Sequence, residues 1–169
     1  DIYYFNLCDG ADTYNDNFGT DQIVFGAGIT AADIQLISNY ATNYSLLIKI
    51  GTGGDQITIN NFFNNWDNSY KIETLKFADG STINLGNGVT LLGTNIAGET
   101  LLGTAYVDNL TGNIGNDSIS SGDGDDVLTG GKGNDSINGG NYGNDSYIFN
   151  LGDGQDTYND YTGADQIIF

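Results

Sequence analysis

The chain has 169 residues and a formal net charge of −18, because 22 acidic residues stand against four lysines and arginine and histidine are missing. Proteins that bind nucleic acid or an anionic membrane surface need clustered Lys and Arg, so the composition argues against both partners. A hydrophobic content of 38%, with 11 Tyr, 8 Phe and 1 Trp, is sufficient for a folded interior. We therefore expect a folded protein whose self-repulsion has to be neutralised by cations.

The N-terminal segment, DIYYFNLCDG, has neither a basic region nor an apolar stretch. Since the chain also lacks a run of about 18 apolar residues, we expect no membrane insertion and no cleavable signal. The single cysteine, Cys8, cannot form an intrachain disulfide, which excludes a disulfide scaffold.

Residues 3–25 and 147–169 are copies of one another. They read YYFNLCDGADTYNDNFGTDQIVF and YIFNLGDGQDTYNDYTGADQIIF, and at a constant offset of 144 they are identical at 16 of 23 positions without a gap. Cys8 falls where the second copy has Gly152, so we interpret it as an incidental substitution. The chain runs through one period and re-enters its own beginning, which predicts a piece of a tandem array.

Residues 26–88 have a different composition, with five acids and three of the four lysines. Thr30 is placed as a helix N-cap with Asp33 three residues later, a capping box that predicts one or two helical turns. Alternating strands follow in YSLLIKI, QITINNFF, YKIETLKF and STINL, separated by the turns GTGGD and ADG. This segment is expected to be a small β-rich domain with a short helix.

An aromatic cluster lies within that segment, in NNFFNNWDNSY. Its aromatic residues are Phe62, Phe63, Trp66 and Tyr70. Flanked by asparagines, they could form a platform for stacking a carbohydrate. Such a cluster is more often the core that joins two sheets, and we favour that interpretation.

A shorter repeat begins at residue 112. The chain reads GNIGNDSIS, SGDGDDVLT, GGKGNDSIN and then GGNYGNDSYI, which has one inserted residue. An aspartate recurs at residues 117, 126, 135 and 145, in steps of nine, nine and ten. Two residues after each aspartate stands a large apolar or aromatic residue. Less regular units extend the pattern in both directions. Glu99 stands in place of an aspartate, and Ser121 and Leu151 stand in place of glycines.

These units resemble the nonapeptide G-G-x-G-x-D-x-U-x, where U is a large apolar residue, of the repeats-in-toxin (RTX) or haemolysin-type calcium-binding family. The resemblance implies that six residues of each unit form a turn and three form a short strand. It also implies that two units make one coil of a parallel β-roll. The expected fold is therefore mainly all-β, with a truncated roll at 1–25, the β-rich domain at 26–88 and a roll at 89–169.

The glycines and aspartates of these units suit a cation cage. Glycine permits the sharp turns and the close approach of neighbouring backbones. Stacked coils lie about 4.8 Å apart, so if alternate units face the same side, Asp117 should lie above Asp135 and Asp126 above Asp145. Carboxylates at that spacing repel by roughly 1 kcal/mol in water and several times more in a protein. Carboxylate and carbonyl oxygens in adaptable geometry favour Ca²⁺ over Mg²⁺ or Zn²⁺.

The resemblance also implies which residues are ligands: the aspartate at position six of each unit, with backbone carbonyls from positions one to four. Several calcium ions are expected. The ligand residues that it implies here are Asp108, Gly112, Asn113, Gly115, Asp117, Gly122, Asp123, Gly124, Asp126, Gly130, Gly131, Gly133, Asp135, Gly140, Gly143, Asp145, Gly152, Asp153, Gly154, Asp156 and Asp165.

Two motifs of the β-rich segment, FGAGI at 25–29 and FADGSTI at 77–83, resemble those of the haemolysin-type calcium-binding related domain. That domain is associated with RTX arrays, so the two resemblances support each other.

Catalysis is not expected. The chain has no histidine for acid–base chemistry, no phosphate-binding loop and no proline. The self-cleaving modules of the family break an Asp-Pro bond, so their activity is excluded. A carboxylate pair could in principle serve a glycosidase, but turns or calcium cages explain nearly every aspartate.

Together, these features predict a calcium-binding RTX module of a large bacterial protein that is secreted by a type I exporter, is disordered without Ca²⁺ and folds outside the cell. The expected partners are calcium and neighbouring repeats of the same parent chain. One alternative is a repeat unit of an adhesin or surface protein, whose 26–88 domain binds a glycan or cell surface. Another is an accessory module of a secreted toxin or hydrolase.

Overall fold

In a computed structural model of the chain, the residues described are 1–39, 41, 43–64, 71–96 and 98–169. They form an almost entirely β structure with two compact units, Asp1–Asn87 and Gly88–Phe169. The predicted mainly β class and the parallel roll are confirmed. Within these ranges, no helix is long and apolar enough to cross a membrane.

The unit Gly88–Phe169 is built from two parallel sheets of three-residue strands, and consecutive strands alternate between the sheets. One sheet has the order β17-β15-β13-β11-β9 and the other β10-β12-β14-β16. The strands are β9 (Thr90–Leu92), β10 (Thr100–Leu102), β11 (Asn109–Thr111), β12 (Ser118–Ser120), β13 (Val127–Thr129), β14 (Ser136–Asn138), β15 (Ser146–Ile148), β16 (Thr157–Asn159) and β17 (Gln166–Ile168). This alternation places every second nonapeptide on the same face of the roll.

The core of the roll is a column of apolar side chains at the middle positions of strands β9 to β15. Leu110 pairs in register with Leu128, and Leu128 with Tyr147, in one sheet. Ile119 pairs with Ile137 in the other. All five side chains are buried. Because a strand of three residues turns only its middle side chain inward, one large apolar residue per nonapeptide is sufficient to fill this interior.

The unit Asp1–Asn87 has two mixed sheets, in the orders β1-β3-β7-β8 and β2-β6-β5-β4. Strands from residues 1–25 share both sheets with strands from 26–87. The strands are β1 (Ile2–Phe5), β2 (Ala11–Tyr14), β3 (Gln22–Phe25), β4 (Ile34–Asn39), β5 (Ser45–Ile50), β6 (Asp55–Ile59), β7 (Thr74–Lys76) and β8 (Thr82–Asn84). The pairs β1–β3, β3–β7 and β2–β6 are parallel, and the other pairs are antiparallel. The division of the chain into a truncated roll at 1–25, a β-rich domain at 26–88 and a roll at 89–169 stays a prediction.

The predicted helix start is confirmed, but the helix is a single 3₁₀ turn, Ala31–Asp33. The backbone N–H and the hydroxyl of Thr30 donate to the Asp33 carboxylate at 2.9 and 2.7 Å. These bonds hold the pKa of Asp33 below its usual range. Strand β4 begins at the next residue, because its backbone pairs with β5 from Ile34↔Ile50 onward. The alternation of IQLIS was the available signal for this strand.

The remaining predicted elements differ mainly in length. QITINNFF forms β6 only to Ile59 and then a turn, and YKIETLKF contributes only Thr74–Lys76 to a strand. Phe62 and Phe63 are buried and pack edge to face with ring centroids 5.0 Å apart, so these two belong to the core. Trp66 and Tyr70, the rest of the aromatic cluster, lie outside the described residues.

We expect Leu128→Ala to destabilise the roll by about 2–5 kcal/mol, since it leaves a cavity at a fully buried position of the five-stranded sheet. Ser136→Ala, at an exposed position of β14 in the same roll, should change the free energy of unfolding by less than about 0.5 kcal/mol. Urea unfolding at saturating Ca²⁺ measures both. If the two variants unfold at the same urea concentration, the roll does not depend on one buried apolar side chain per strand.

Candidate metal centre

The acids at position six of the nonapeptides form two carboxylate ladders, each running from coil to coil along one face. In the first, the backbone N–H of Asp117 donates to Oδ1 of Asp135 at 2.7 Å, and that of Asp135 to Oδ1 of Asp156 at 3.0 Å. Glu99 enters the same ladder, donating from its N–H to Oδ1 of Asp117 at 2.8 Å. The predicted placement of Asp117 above Asp135 is confirmed.

The second ladder lies on the other face and contains the aspartates of the alternate units. The N–H groups of Asp108, Asp126 and Asp145 donate to Oδ1 of Asp126, Asp145 and Asp165 at 2.8, 2.9 and 2.9 Å. The predicted stacking of Asp126 on Asp145 is confirmed. Each acid immediately precedes a strand, so the register of the parallel sheets fixes the spacing of both ladders.

The ladder bonds leave the other oxygen of the central aspartates unsatisfied. Asp117, Asp126 and Asp135 are 1–2% exposed, and the Oδ2 atom of each is buried without a hydrogen-bond partner. A buried carboxylate oxygen without a partner costs free energy unless a proton or a cation compensates it. The roll therefore presents a row of anionic ligand atoms that its own polypeptide does not satisfy.

Burial and mutual repulsion disfavour the charged form of these acids in the metal-free chain. Desolvation by burial, together with the charges of Asp108 and Asp145, raises the pKa of Asp126 to about 7. Burial is also the largest cause that raises the pKa of Asp145 to about 6. The pKa of Asp135 moves in the same direction for the same reason. A divalent cation beside these oxygens would remove the cause of the shift, since an opposite charge favours the ionised form.

Glycine is required where the backbones of stacked turns meet. A side chain at Gly131 would collide with the carbonyl oxygen of Asn113, and one at Gly140 with that of Gly122. Both glycines also have positive φ, +93° and +101°. The stacked turns therefore bring backbone carbonyl oxygens into the same layer as the ladder carboxylates.

The other predicted ligand glycines lie in the same two stacks of turns. Positive φ angles occur at the second and fourth positions of the units. This set is Asn113, Gly115, Gly122, Gly124, Gly131, Gly133, Gly140, Gly143, Gly152 and Gly154. Gly112 and Gly130, at position one, have no positive φ, and a side chain at Gly112 would lie 2.5 Å from the carbonyl oxygen of Gly130.

Three predicted ligand aspartates differ from the ladder aspartates in their surroundings. Oδ2 of Asp108 already accepts from the backbone N–H of Thr104 at 2.5 Å, while Oδ1 accepts from Val89 N–H at 2.5 Å. Asp153 is buried and accepts from Asn150 N–H at 2.6 Å, which closes its own turn. No hydrogen bond is described for the side chain of Asp123, which is partly exposed.

The sequence analysis did not predict a further set of contacts between coils, which the side chains at position five accept from backbone N–H groups. The N–H of Asn134 donates to Oδ1 of Asn116 at 2.9 Å, and that of Asn144 donates to Oδ1 of Asp125 at 2.8 Å. Gln155 N–H continues the series onto Asn134 at 2.9 Å. The recurrence of Asn or Asp immediately before the aspartates at 117, 126, 135 and 145 was the signal for it.

A parallel β-roll whose turns stack buried, unsatisfied carboxylates is a cation-binding solenoid. Residues 102–137 and 120–158 match the family model of the RTX calcium-binding nonapeptide repeat (4 copies), and residues 46–86 match that of the haemolysin-type calcium binding protein related domain. The chain is an RTX calcium-binding repeat protein, as its motifs predicted. No curated protein matches it.

The donor set of the turns fits Ca²⁺. The available atoms are carboxylate Oδ2 and backbone carbonyl oxygens, which are hard ligands at adaptable positions. Zn²⁺ would prefer nitrogen or sulfur, but the chain has no histidine and its one cysteine is exposed in the other unit. Asp117, Asp126 and Asp135 would supply charge to the bound ions, and the stacked turn carbonyls would complete their coordination.

We expect Gly112→Ala to weaken calcium binding and to destabilise the roll by about 1–3 kcal/mol, because the added methyl group would press on the Gly130 carbonyl. Gly53→Ala is the matched control. Neither glycine has positive φ, and no atom lies within 4 Å of a Cβ at Gly53. Calcium titration and urea unfolding measure the two effects. Unchanged behaviour of Gly112→Ala would show that the turns do not need this close approach.

Proposed function

We propose that the chain is a calcium-dependent folding module of a larger bacterial protein exported by a type I system. It is disordered at low calcium and folds where Ca²⁺ is abundant. The observation that carries the proposal is the buried, unpartnered Oδ2 atom of Asp117 and Asp135 in the first ladder and of Asp126 in the second. The fold stacks these carboxylates on acids of neighbouring coils and offers their Oδ2 atoms no hydrogen-bond partner among the described residues.

The mechanism is linkage between binding and folding. In the unfolded chain the aspartates are far apart and solvated, so the metal sites do not exist. Folding creates the sites at the cost of carboxylate repulsion and desolvation, and bound Ca²⁺ offsets that cost. Because the ion binds only the folded state, its binding free energy adds directly to stability. Extracellular calcium modules bind at roughly 0.1–1 mM, which is above the calcium level of a cytosol.

The proposal that the chain is exported and works outside the cell is supported by its family and by the coupling of folding to calcium. RTX repeats of the haemolysin type are typical of secreted proteins, and a chain with a net charge of −18 suits passage in an unfolded state. We also propose that this chain is not itself an enzyme. It has no histidine, and its central ladder carboxylates are held by backbone N–H groups in positions suited to ions.

We expect the metal-free chain to lose the ordered roll and to regain it cooperatively on addition of Ca²⁺ in the millimolar range. Far-ultraviolet circular dichroism during a calcium titration in chelator-treated protein measures this. Mg²⁺ at the same ionic strength should not substitute, because it demands a stricter octahedral geometry. A fully folded roll in excess chelator would contradict the proposal.

Asp126→Asn should raise the calcium concentration needed for folding by about tenfold or more, because affinity depends on the number of charged ligands. Asp125→Asn is the matched control. It makes the same charge change at the neighbouring residue, where the exposed side chain accepts from Asn144 through an Oδ1 that asparagine retains. If both variants shift the folding midpoint equally, the effect is one of net charge, and the ladder is not the binding site.

A further inference from the structure

The second copy of the long repeat, residues 147–169, is equivalent to the segment that holds the β-rich segment in the first copy. Residues 1–25 supply β1, β2 and β3 to the two sheets of the unit Asp1–Asn87. In those sheets β2 pairs with β6, and β3 pairs with β7. Since the two copies are identical at 16 of 23 positions, the contacts made on the first copy indicate what the second copy can bind.

The side chains that the β-rich segment contacts in the first copy recur in the second. The ring of Phe77 stacks on that of Phe25 with centroids 5.1 Å apart. The side-chain amide of Asn60 donates to Oδ1 of Asn15 at 2.8 Å. The residues 144 places after Phe25 and Asn15 are again phenylalanine and asparagine. Both contacts can therefore be made on the second copy without a change of side chain.

The β-rich segment also binds backbone N–H groups of the first copy. The carboxylate of Asp55 accepts from the N–H groups of Cys8 and Gly10 at 2.8 and 3.1 Å. That of Glu73 accepts from the N–H of Asp21 at 2.7 Å. The equivalent residues of the second copy are two glycines and an aspartate, so each donor is retained. The glycine equivalent to Cys8 also has positive φ, so the turn has the same hand in both copies.

The outward side of β17, away from β15, carries the backbone acceptor that β7 uses in the first copy. Alternate residues of a strand in a parallel sheet bond to opposite sides. The N–H of Gln166 and the carbonyl oxygen of Ile168 bond toward β15. Asp165 is out of phase with them, so its carbonyl oxygen faces outward. In the first copy the equivalent carbonyl, of Asp21, accepts from the N–H of Thr74 in β7 at 3.2 Å.

The outward side of β16, away from β14, follows the same rule. The N–H of Thr157 and the carbonyl oxygen of Asn159 bond toward β14. Tyr158 lies between them and faces outward. Its equivalent in the first copy, Tyr14, accepts at its carbonyl oxygen from the N–H of Asn60, which follows β6, at 3.1 Å. Both strands of the second copy therefore present the hydrogen-bonding pattern that holds β6 and β7 in the first.

We propose that residues 147–169 form a docking surface for a second β-rich segment, a further copy of residues 26–87. Its strands equivalent to β6 and β7 extend the two sheets of the roll beyond β16 and β17. Phe169 supplies the ring on which a phenylalanine stacks, and Asn159 supplies the acceptor for an asparagine. The inference goes beyond the proposed function, because it assigns a partner to one surface of the roll and does not depend on calcium-driven folding.

Charge favours this occupant over the other parts of a second copy. Residues 26–88 carry five acids and three lysines, whereas most of the remaining acids lie in the roll, with a single lysine. The β-rich segment is therefore the part of the chain that approaches an acidic roll with the least repulsion. In a chain of several periods, residues 147–169 would complete one roll and also begin the next β-rich domain.

The test uses the full chain extended by a second copy of residues 26–87 placed after Phe169. Hydrogen–deuterium exchange at saturating Ca²⁺ is followed in the peptide covering residues 157–169. Exchange should be slower by at least about tenfold than in the chain without the extension, because docking protects the outward N–H groups. A chain extended by a Gly/Ser segment of the same length is the control and should show no such slowing. Equal exchange in the two extended chains would overturn the proposal.

Substitutions in the extended chain test whether docking uses the contacts of the first copy. Phe169→Ala should remove most of the slowing, because the stacking ring is lost. Tyr161→Ala is the matched control and should keep it, since this aromatic residue is 72% exposed and its equivalent in the first copy is an asparagine. Full protection in Phe169→Ala, or equal loss in both variants, would overturn the proposed surface. A calcium titration of the unextended chain tests the proposed function separately.

Discussion

Repulsion between stacked carboxylates is the interaction on which the rest of this structure depends. The parallel register places one acid per coil directly over the next, so the charges cannot separate without breaking the sheets. Each acid receives one hydrogen bond from the backbone of a neighbouring coil, and this bond fixes its position. The backbone thus determines where the charges lie, while a ligand from outside the chain has to compensate them.

The core of the roll is thin, so its fold depends strongly on compensation of the stacked carboxylates. Each strand from β9 to β15 contributes a single buried apolar residue, such as Leu110 or Ile137, so hydrophobic burial per residue is small compared with that of a thicker domain. A roll of this kind has little stability from packing with which to offset several buried charges. Calcium binding and folding are therefore expected to be tightly coupled, because neither the core nor the ladders are sufficient alone.

Much of this could be predicted from the sequence, because nonapeptide spacing maps directly onto coil geometry. The stacking of Asp117 on Asp135 follows from a period of two units per coil. The site residues at the edges of the pattern are harder to predict, since they depend on local contacts. Asp108 keeps the expected position, but Thr104 in its own turn satisfies the Oδ2 atom, which is unpartnered in Asp117, Asp126 and Asp135. A motif gives the position of a carboxylate and not the hydrogen bonds around it.

The strand β4 was missed for a related reason, as was the proximity of Asp1, Asp16 and Asp21, whose carboxylate oxygens lie within 4.8 Å of one another. The capping box at Thr30 correctly indicated a turn, but only the pairing with β5 shows that the chain becomes a strand immediately afterwards. The acids at 1, 16 and 21 are spread over three places in the sequence. The offset of 144 identifies Asp16 and Asp21 as repeated residues, but only the fold brings them together.

The two copies of the long repeat form the same aromatic contact. Phe25 packs edge to face on Phe5 with ring centroids 6.3 Å apart, and Phe169 packs edge to face on Phe149 at 6.1 Å. In the first copy, β3 also pairs with β7, and Phe77 of the segment after β7 stacks on the Phe25 ring at 5.1 Å. Phe25 is therefore buried by side chains from residues 1–25 and from the β-rich segment together, which is why the repeat alone does not define the core of this unit.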